Sequence, residues 1–119
     1  MPKLTIAIPN YNGGENLKRC IESCQTIQIP KNEYEILIVD NKSTDNSINT
    51  VNEMEKKFTN IRLIENEKNI GLPASLNIAI KKAKSPYIVR VDSDDYVNRH
   101  FLLMLYEYLF WNSEIDAIA

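Results

Sequence analysis

Four short apolar runs rich in β-branched residues, at residues 4–8, 35–39, 61–64 and 87–91, alternate with segments of helical period, and this alternation constrains the fold most. The runs read as strands, several of them continuous enough in their hydrophobicity to be buried on both faces. Between them Leu17, Cys20, Ile21 and Cys24, then Ile48, Val51, Glu55 and Phe58, then Leu72, Leu76, Ala79, Ile80 and Ala83 recur at three- and four-residue spacing, one helix face each. Strand and helix in turn predict an α/β domain: a mostly parallel sheet with right-handed crossovers and helices on its faces. A fourth helix is expected over residues 99–111 and a fifth strand from Ile115.

The 119 residues suit one compact domain spanning 1–119 and are too few for two. Thr44 and Asp45 are placed to cap the second helix, and Pro73 falls in the first turn of the third, where its missing N–H costs little. Cys20 and Cys24, one turn apart beside Leu17 and Ile21, are expected in the core, and with His100 as the single histidine they cannot form a tetrahedral zinc site. They suggest a reduced, cytoplasmic setting. The apolar stretch near Met1 is too short for a signal peptide or a membrane span, which leaves membrane association to a longer parent.

With 14 basic and 16 acidic side chains scattered along the chain, no basic stripe exists to neutralise a phosphate backbone, and nucleic acid is excluded as a partner. The three glycines, Gly13, Gly14 and Gly71, cannot be arranged into a dinucleotide fingerprint or a P-loop.

Ligands of open parallel sheets bind beyond the carboxyl ends of the strands. The four exits here are Pro9-Asn10-Tyr11-Asn12, Asp40-Asn41-Lys42-Ser43, Glu65-Asn66-Glu67-Lys68-Asn69 and Asp92-Ser93-Asp94-Asp95, a crevice of carboxylates and amides with one aromatic. The aspartates at 92, 94 and 95 repel one another unless a cation or hydrogen bonds compensate, and carboxylate oxygen suits Mg²⁺ or Mn²⁺; the other reading is an acidic turn capping the next helix. An EF-hand fails, because Val97 and Leu103 stand where it needs Gly and Glu. Asp40, at the end of an apolar strand, needs a partner: a nucleobase N–H, or Ser43 and Thr44 closing the turn. Tyr11 can stack on a base or be an ordinary loop tyrosine.

In order and spacing, Ile8-Pro9-Asn10-Tyr11-Asn12, Val39-Asp40-Asn41-Lys42-Ser43-Thr44-Asp45, Asn69-Ile70-Gly71-Leu72 and Val91-Asp92-Ser93-Asp94-Asp95 resemble the N-terminal half of family 2 glycosyltransferases over almost the whole chain. The resemblance implies a Rossmann-like GT-A domain that binds a nucleoside-diphosphate sugar, often a UDP-sugar. It also implies metal-dependent, inverting transfer to a glycan or lipid-linked acceptor in polysaccharide biosynthesis. It places Asp40 on the base, Pro9 and Tyr11 around it, Asn69, Gly71 and Leu72 along the nucleotide, and Ser93 beside the donor. A divalent metal, Mg²⁺ or Mn²⁺, falls to Asp92 and Asp94 of the D-x-D motif, Asp94 as the direct ligand and Asp92 also near the ribose, with Asp95 assisting.

Where many relatives have an Arg before the Asn of the third helix and a Gly two residues after it, this chain has Leu76, Asn77 and Ala79. The family's acceptor platform and catalytic base fall beyond Ala119, so the chain is expected to be a truncated donor-binding half, inactive in transfer and self-associating through its unfinished edge near Phe110 and Trp111. The competing readings are a non-catalytic nucleotide-sugar-binding module and a metal-dependent phosphohydrolase.

Overall fold

The computed structural model describes residues 3–27, 29–93 and 117–118. Five strands, β1 (Leu4–Asn10), β2 (Tyr34–Asp40), β3 (Ile61–Glu65), β4 (Tyr87–Arg90) and β5 (Ala117–Ile118), form one sheet in the order β3-β2-β1-β4-β5. Every pairing is parallel, with Ile6 beside Ile36 and Val89, and Ile36 beside Ile61. The expected α/β architecture and the fifth strand are both present. The helix expected over residues 99–111 lies outside the described residues.

Helices α1 (Gly14–Gln25), α2 (Ser47–Lys57) and α3 (Leu72–Lys82) connect the strands. The two-residue period of β1 and β2 divides their side chains between two helical layers. Leu4, Ile6, Ile8, Tyr34, Ile36 and Ile38 pack with Leu17, Cys20, Ile21 and Cys24 of α1 and with Val51 and Met54 of α2. Ala7, Leu37 and Val39 face the other way, onto Ala79 of α3. Every residue of β1 and β2 is buried, as the unbroken hydrophobic runs required. Both cysteines are free and buried. The hydrogen bond with Cys20 and then burial push the Cys24 thiol well above its ordinary pKa, so it stays neutral.

Two helix faces differ from expectation. In α2 the buried positions are Ser47, Val51 and Met54, with Phe58 packed against the core just beyond, whereas Ile48 is half-buried and Glu55 exposed. Starting the helix at Ser47 sets the sheet-facing row at 47, 51 and 54, and Glu55 rotates out. In α3 the sheet-facing row is Ser75 and Ala79 flanked by Leu76 and Ile78, while Leu72 is 43% and Ile80 52% exposed. Small residues let α3 approach the sheet; the larger Ile80 lies on the neighbouring face.

The α2 cap also differs. Asn46 holds the N-cap position without a side-chain hydrogen bond, and Asp45, one residue earlier, accepts the Ser47 N–H at 2.9 Å. Thr44 is drawn away instead: its N–H donates to Asn12 Oδ1 at 2.8 Å. Pro73 does sit in the first turn of α3, and Gly71 precedes that helix at φ 88°, a conformation other residues adopt only with strain.

Candidate functional site

The sheet order reverses between β1 and β4, and the loops leaving the carboxyl ends of the strands converge there on a cavity of about 520 Å³. Of the residues singled out in the sequence, Pro9, Tyr11, Asn69, Gly71, Leu72, Asp92 and Ser93 line it together. Tyr11 is 45% exposed at the rim, free to present a ring face rather than fill the core. Asp94 and Asp95 lie outside the described residues.

Asp40 does not line this cavity; its place there is taken by Asn41. The Asp40 side chain is 2% exposed and binds three donors: Asn10 Nδ2 at 2.9 Å, the Ser43 hydroxyl at 2.6 Å and the Ser43 N–H at 2.9 Å. The turn is therefore closed by Ser43 and Asn10, with Thr44 uninvolved. A carboxylate offers about four acceptor positions, so one on Oδ2 remains for a further N–H.

Amide side chains fix the loops to one another. Asn12, with φ 53°, donates its N–H to Ser43 Oγ at 2.9 Å and accepts from the N–H groups of Thr44 and Asp45 at 2.8 and 3.2 Å, joining the β1 and β2 exits. Asn41 donates to Asn69 Oδ1 at 2.6 Å and accepts the Ile70 N–H at 2.8 Å, joining the β2 exit to the loop before α3. Asn69 in turn receives the Gly71 N–H at 3.0 Å. The cavity wall is thus held by paired amides.

Asp45 fastens the far side of the β1 exit, accepting from the Gly14 N–H at 3.1 Å as well as from Ser47. Burial raises the pKa of its carboxyl, but the nearby Ser47 hydroxyl and the N–H donors of Ser47 and Gly14 outweigh this and leave it below the ordinary value. The Ser47 hydroxyl stands close without the geometry of a true hydrogen bond.

Just beyond β4, Asp92 closes the cavity. Its carbonyl oxygen accepts the Cys20 thiol at 3.5 Å, tying the loop to α1, and the Val91 N–H reaches Ala7 O at 2.9 Å. Its carboxylate Oδ1 is gripped by Arg90, with Nη2 at 2.8 Å and Nε at 3.0 Å. No set of three His, Cys, Asp or Glu side chains is gathered for a metal among the described residues. Among the described lining residues Asp92 alone supplies hard carboxylate oxygen, which would fit a Mg²⁺ or Mn²⁺ held by one or two carboxylates, the rest of its shell being substrate phosphate and water.

Asn12 and Asn41, placed by the sequence in the strand exits without individual roles, also line the cavity; Gly13, Asn16 and Arg90 line it too and were missed. Gly13 is there because there is no room for a side chain: a Cβ would come within 2.3 Å of Asn10 Oδ1 and 3.2 Å of Ser93 Oγ. Arg90 carried a weak signal, as the last residue of β4 two positions before Asp92.

The model of glycosyl transferase family 2 matches residues 5–118. The poly(ribitol-phosphate) beta-glucosyltransferase of Bacillus spizizenii is 44% identical over 107 residues, 89% of this chain and 17% of that protein. The poly(ribitol-phosphate) beta-N-acetylglucosaminyltransferase TarS of Staphylococcus aureus is 33% identical over 103 residues, 86% of this chain and 18% of its own. A crystal structure of S. aureus TarS in complex with UDP-GlcNAc superposes with a TM-score of 0.83 at 30% identity, covering 90% of this chain and 31% of that one. The chain spans less than a fifth of the length of these two curated relatives. The parallel sheet, its reversal between β1 and β4 and the crevice above it are those of a GT-A domain, and the chain belongs to glycosyl transferase family 2.

Proposed function

We propose that the chain is the donor-binding part of a glycosyltransferase that moves a sugar from a nucleoside-diphosphate sugar, a UDP-sugar first, to a hydroxyl acceptor. The observation that carries this reading is the cavity at the β1/β4 reversal, lined by an exposed tyrosine, amides and Asp92 in a chain of this family. TarS binds UDP-GlcNAc, and relatives carry poly(ribitol-phosphate) in their names, so a glycan or alditol-phosphate polymer is the acceptor class.

In this reading Tyr11 stacks on the base against Pro9, the free position of Asp40 Oδ2 accepts a base N–H, and the loop carrying Asn69, Gly71 and Leu72 borders the nucleotide. Asp92 and Ser93 would contact the diphosphate and the ribose, and Asp92 and Asp94 would hold a divalent cation with Asp95 assisting. Such a cation would supply positive charge to offset the negative charge growing on the diphosphate leaving group. A carboxylate that deprotonates the acceptor has no candidate among the described cavity residues, where Asp92 is the one acidic side chain and is held by Arg90. Direct displacement by the acceptor hydroxyl inverts the anomeric centre.

Calorimetric titration with UDP-, GDP-, CDP- and dTDP-sugars, each with Mn²⁺ and with chelator, tests the reading. Binding of UDP-sugars, strengthened by Mn²⁺, is expected. Absence of binding by every nucleotide sugar in both conditions contradicts it.

A further inference from the structure

Arg90 and Asp92 are the two charged side chains lining the cavity among the described residues, and their charges cancel. A nucleoside diphosphate brings two or three negative charges into a site whose described lining has no net charge to meet them. Arg90 is the described cation within reach, and its guanidinium is a planar fork suited to phosphate oxygens. In this structure both donor atoms, Nε and Nη2, are turned onto a single oxygen, Asp92 Oδ1, at 3.0 and 2.8 Å.

The backbone beneath this pair is fixed, whereas the pair itself is open to water. Val91 N–H is bonded to Ala7 O, and Asp92 O receives the Cys20 thiol, so β4 and its exit are pinned from both β1 and α1. The two side chains are 42% and 49% exposed. An ion pair so open to water is weakly held and can exchange partners at little cost.

We propose that Arg90 is a diphosphate-binding residue of this cavity, parked on Asp92 until the donor arrives. The guanidinium then passes to the phosphate oxygens, and Asp92 is released to the divalent cation. This rests on the donor-site reading above. It assigns to Arg90 the part of diphosphate recognition that works without metal, and to the Arg90–Asp92 pair the function of keeping Asp92 neutralised in the empty site.

The test compares Arg90→Gln with the unaltered 119-residue chain, by calorimetry with UDP and with uridine in chelating buffer and by electron paramagnetic resonance with Mn²⁺ alone. In chelator, the unaltered chain binds UDP more tightly than uridine. Arg90→Gln weakens UDP about tenfold, the scale of a charge-assisted hydrogen bond, and leaves uridine unchanged. Arg90→Lys, a point charge without the fork, falls between. Mn²⁺ alone binds Arg90→Gln more tightly, because Asp92 has lost its competitor. Asp92→Asn binds UDP more tightly in chelator, because the guanidinium is no longer held by the carboxylate.

Equal UDP affinity of the unaltered chain and Arg90→Gln in chelator overturns the assignment, as does an Asp92→Asn variant that binds UDP in chelator no more tightly than the unaltered chain. Loss of uridine together with UDP in Arg90→Gln shows a structural role and overturns it too. If the unaltered chain binds neither ligand, with or without Mn²⁺, the donor-site reading itself fails, a result distinct from a failure of Arg90 alone.

Discussion

Asp40 shows how one side chain can close a turn and still keep an acceptor position unfilled. The sequence placed a carboxylate at the end of a buried strand and left two partners open; the structure fills three acceptor positions with Asn10 and Ser43. Asp40→Ala is expected to weaken uridine and UDP by the same factor, about 1–3 kcal/mol, and also to lower Tm as the Asn10 and Ser43 donors lose their acceptor. A drop in Tm with unchanged affinity in the folded fraction leaves Asp40 with the turn alone. Asp45 carries the acid sensitivity of the same loops. Its folded pKa is lowered, so its stabilising effect is present above the unfolded value of about 3.9 and is lost as pH falls through the lower folded value. Asp45→Asn should therefore melt below the unaltered chain at pH 7, and the gap should narrow as the pH is lowered toward 3. A gap of equal size at both pH values counts against the charge as its origin.

Strands were more legible than helix faces. A run such as Ile36-Leu37-Ile38-Val39 has one structural solution, a strand covered on both sides, and β2 is buried along its whole length. Helix α3 offers several apolar residues around its circumference, and periodicity alone could not separate the Ser75–Ala79 row from Ile80; the choice was made by how closely the helix approaches the sheet. The loops were legible as a set of polar exits but not in their pairing, since any of the asparagines could have made the links that Asn12 and Asn41 make. Two glycines bounding those loops should respond differently to alanine. Gly13→Ala forces a Cβ against Asn10, Leu17 and Ser93, and should cost about 1–3 kcal/mol and distort the cavity floor, weakening UDP. Gly71→Ala meets nothing closer than 3.9 Å and is strained only through its φ of 88°, so it should cost about 1–3 kcal/mol in stability. Thermal melts paired with UDP titrations check this; a Gly13→Ala variant with unaltered UDP affinity contradicts the close packing.

At the scale of the molecule, strand order turns a list of polar exits into a site. The order β3-β2-β1-β4-β5 brings residues near 10, 41, 70 and 92 to one end of the sheet. Parallel alternation was readable from hydrophobic period, and so was the side of the sheet on which chemistry belongs; which strands flank the reversal was not, because register and order depend on long-range packing. Among the described residues no helix is long and apolar enough to cross a membrane. The apolar residues expected to drive self-association, Phe110 and Trp111, lie outside the described part. The central claim is that the β1/β4 end of the sheet holds a nucleoside diphosphate, and an NMR titration of the ¹⁵N-labelled chain with UDP and Mg²⁺ tests it most directly. The account predicts shifts concentrated in the amides of Asn12, Gly13, Asn41, Asn69, Gly71 and Ser93, with Asn32, Asn60 and Lys84 at the opposite end of the strands unmoved. Shifts centred on those latter residues, or none at all at saturating UDP, contradict it.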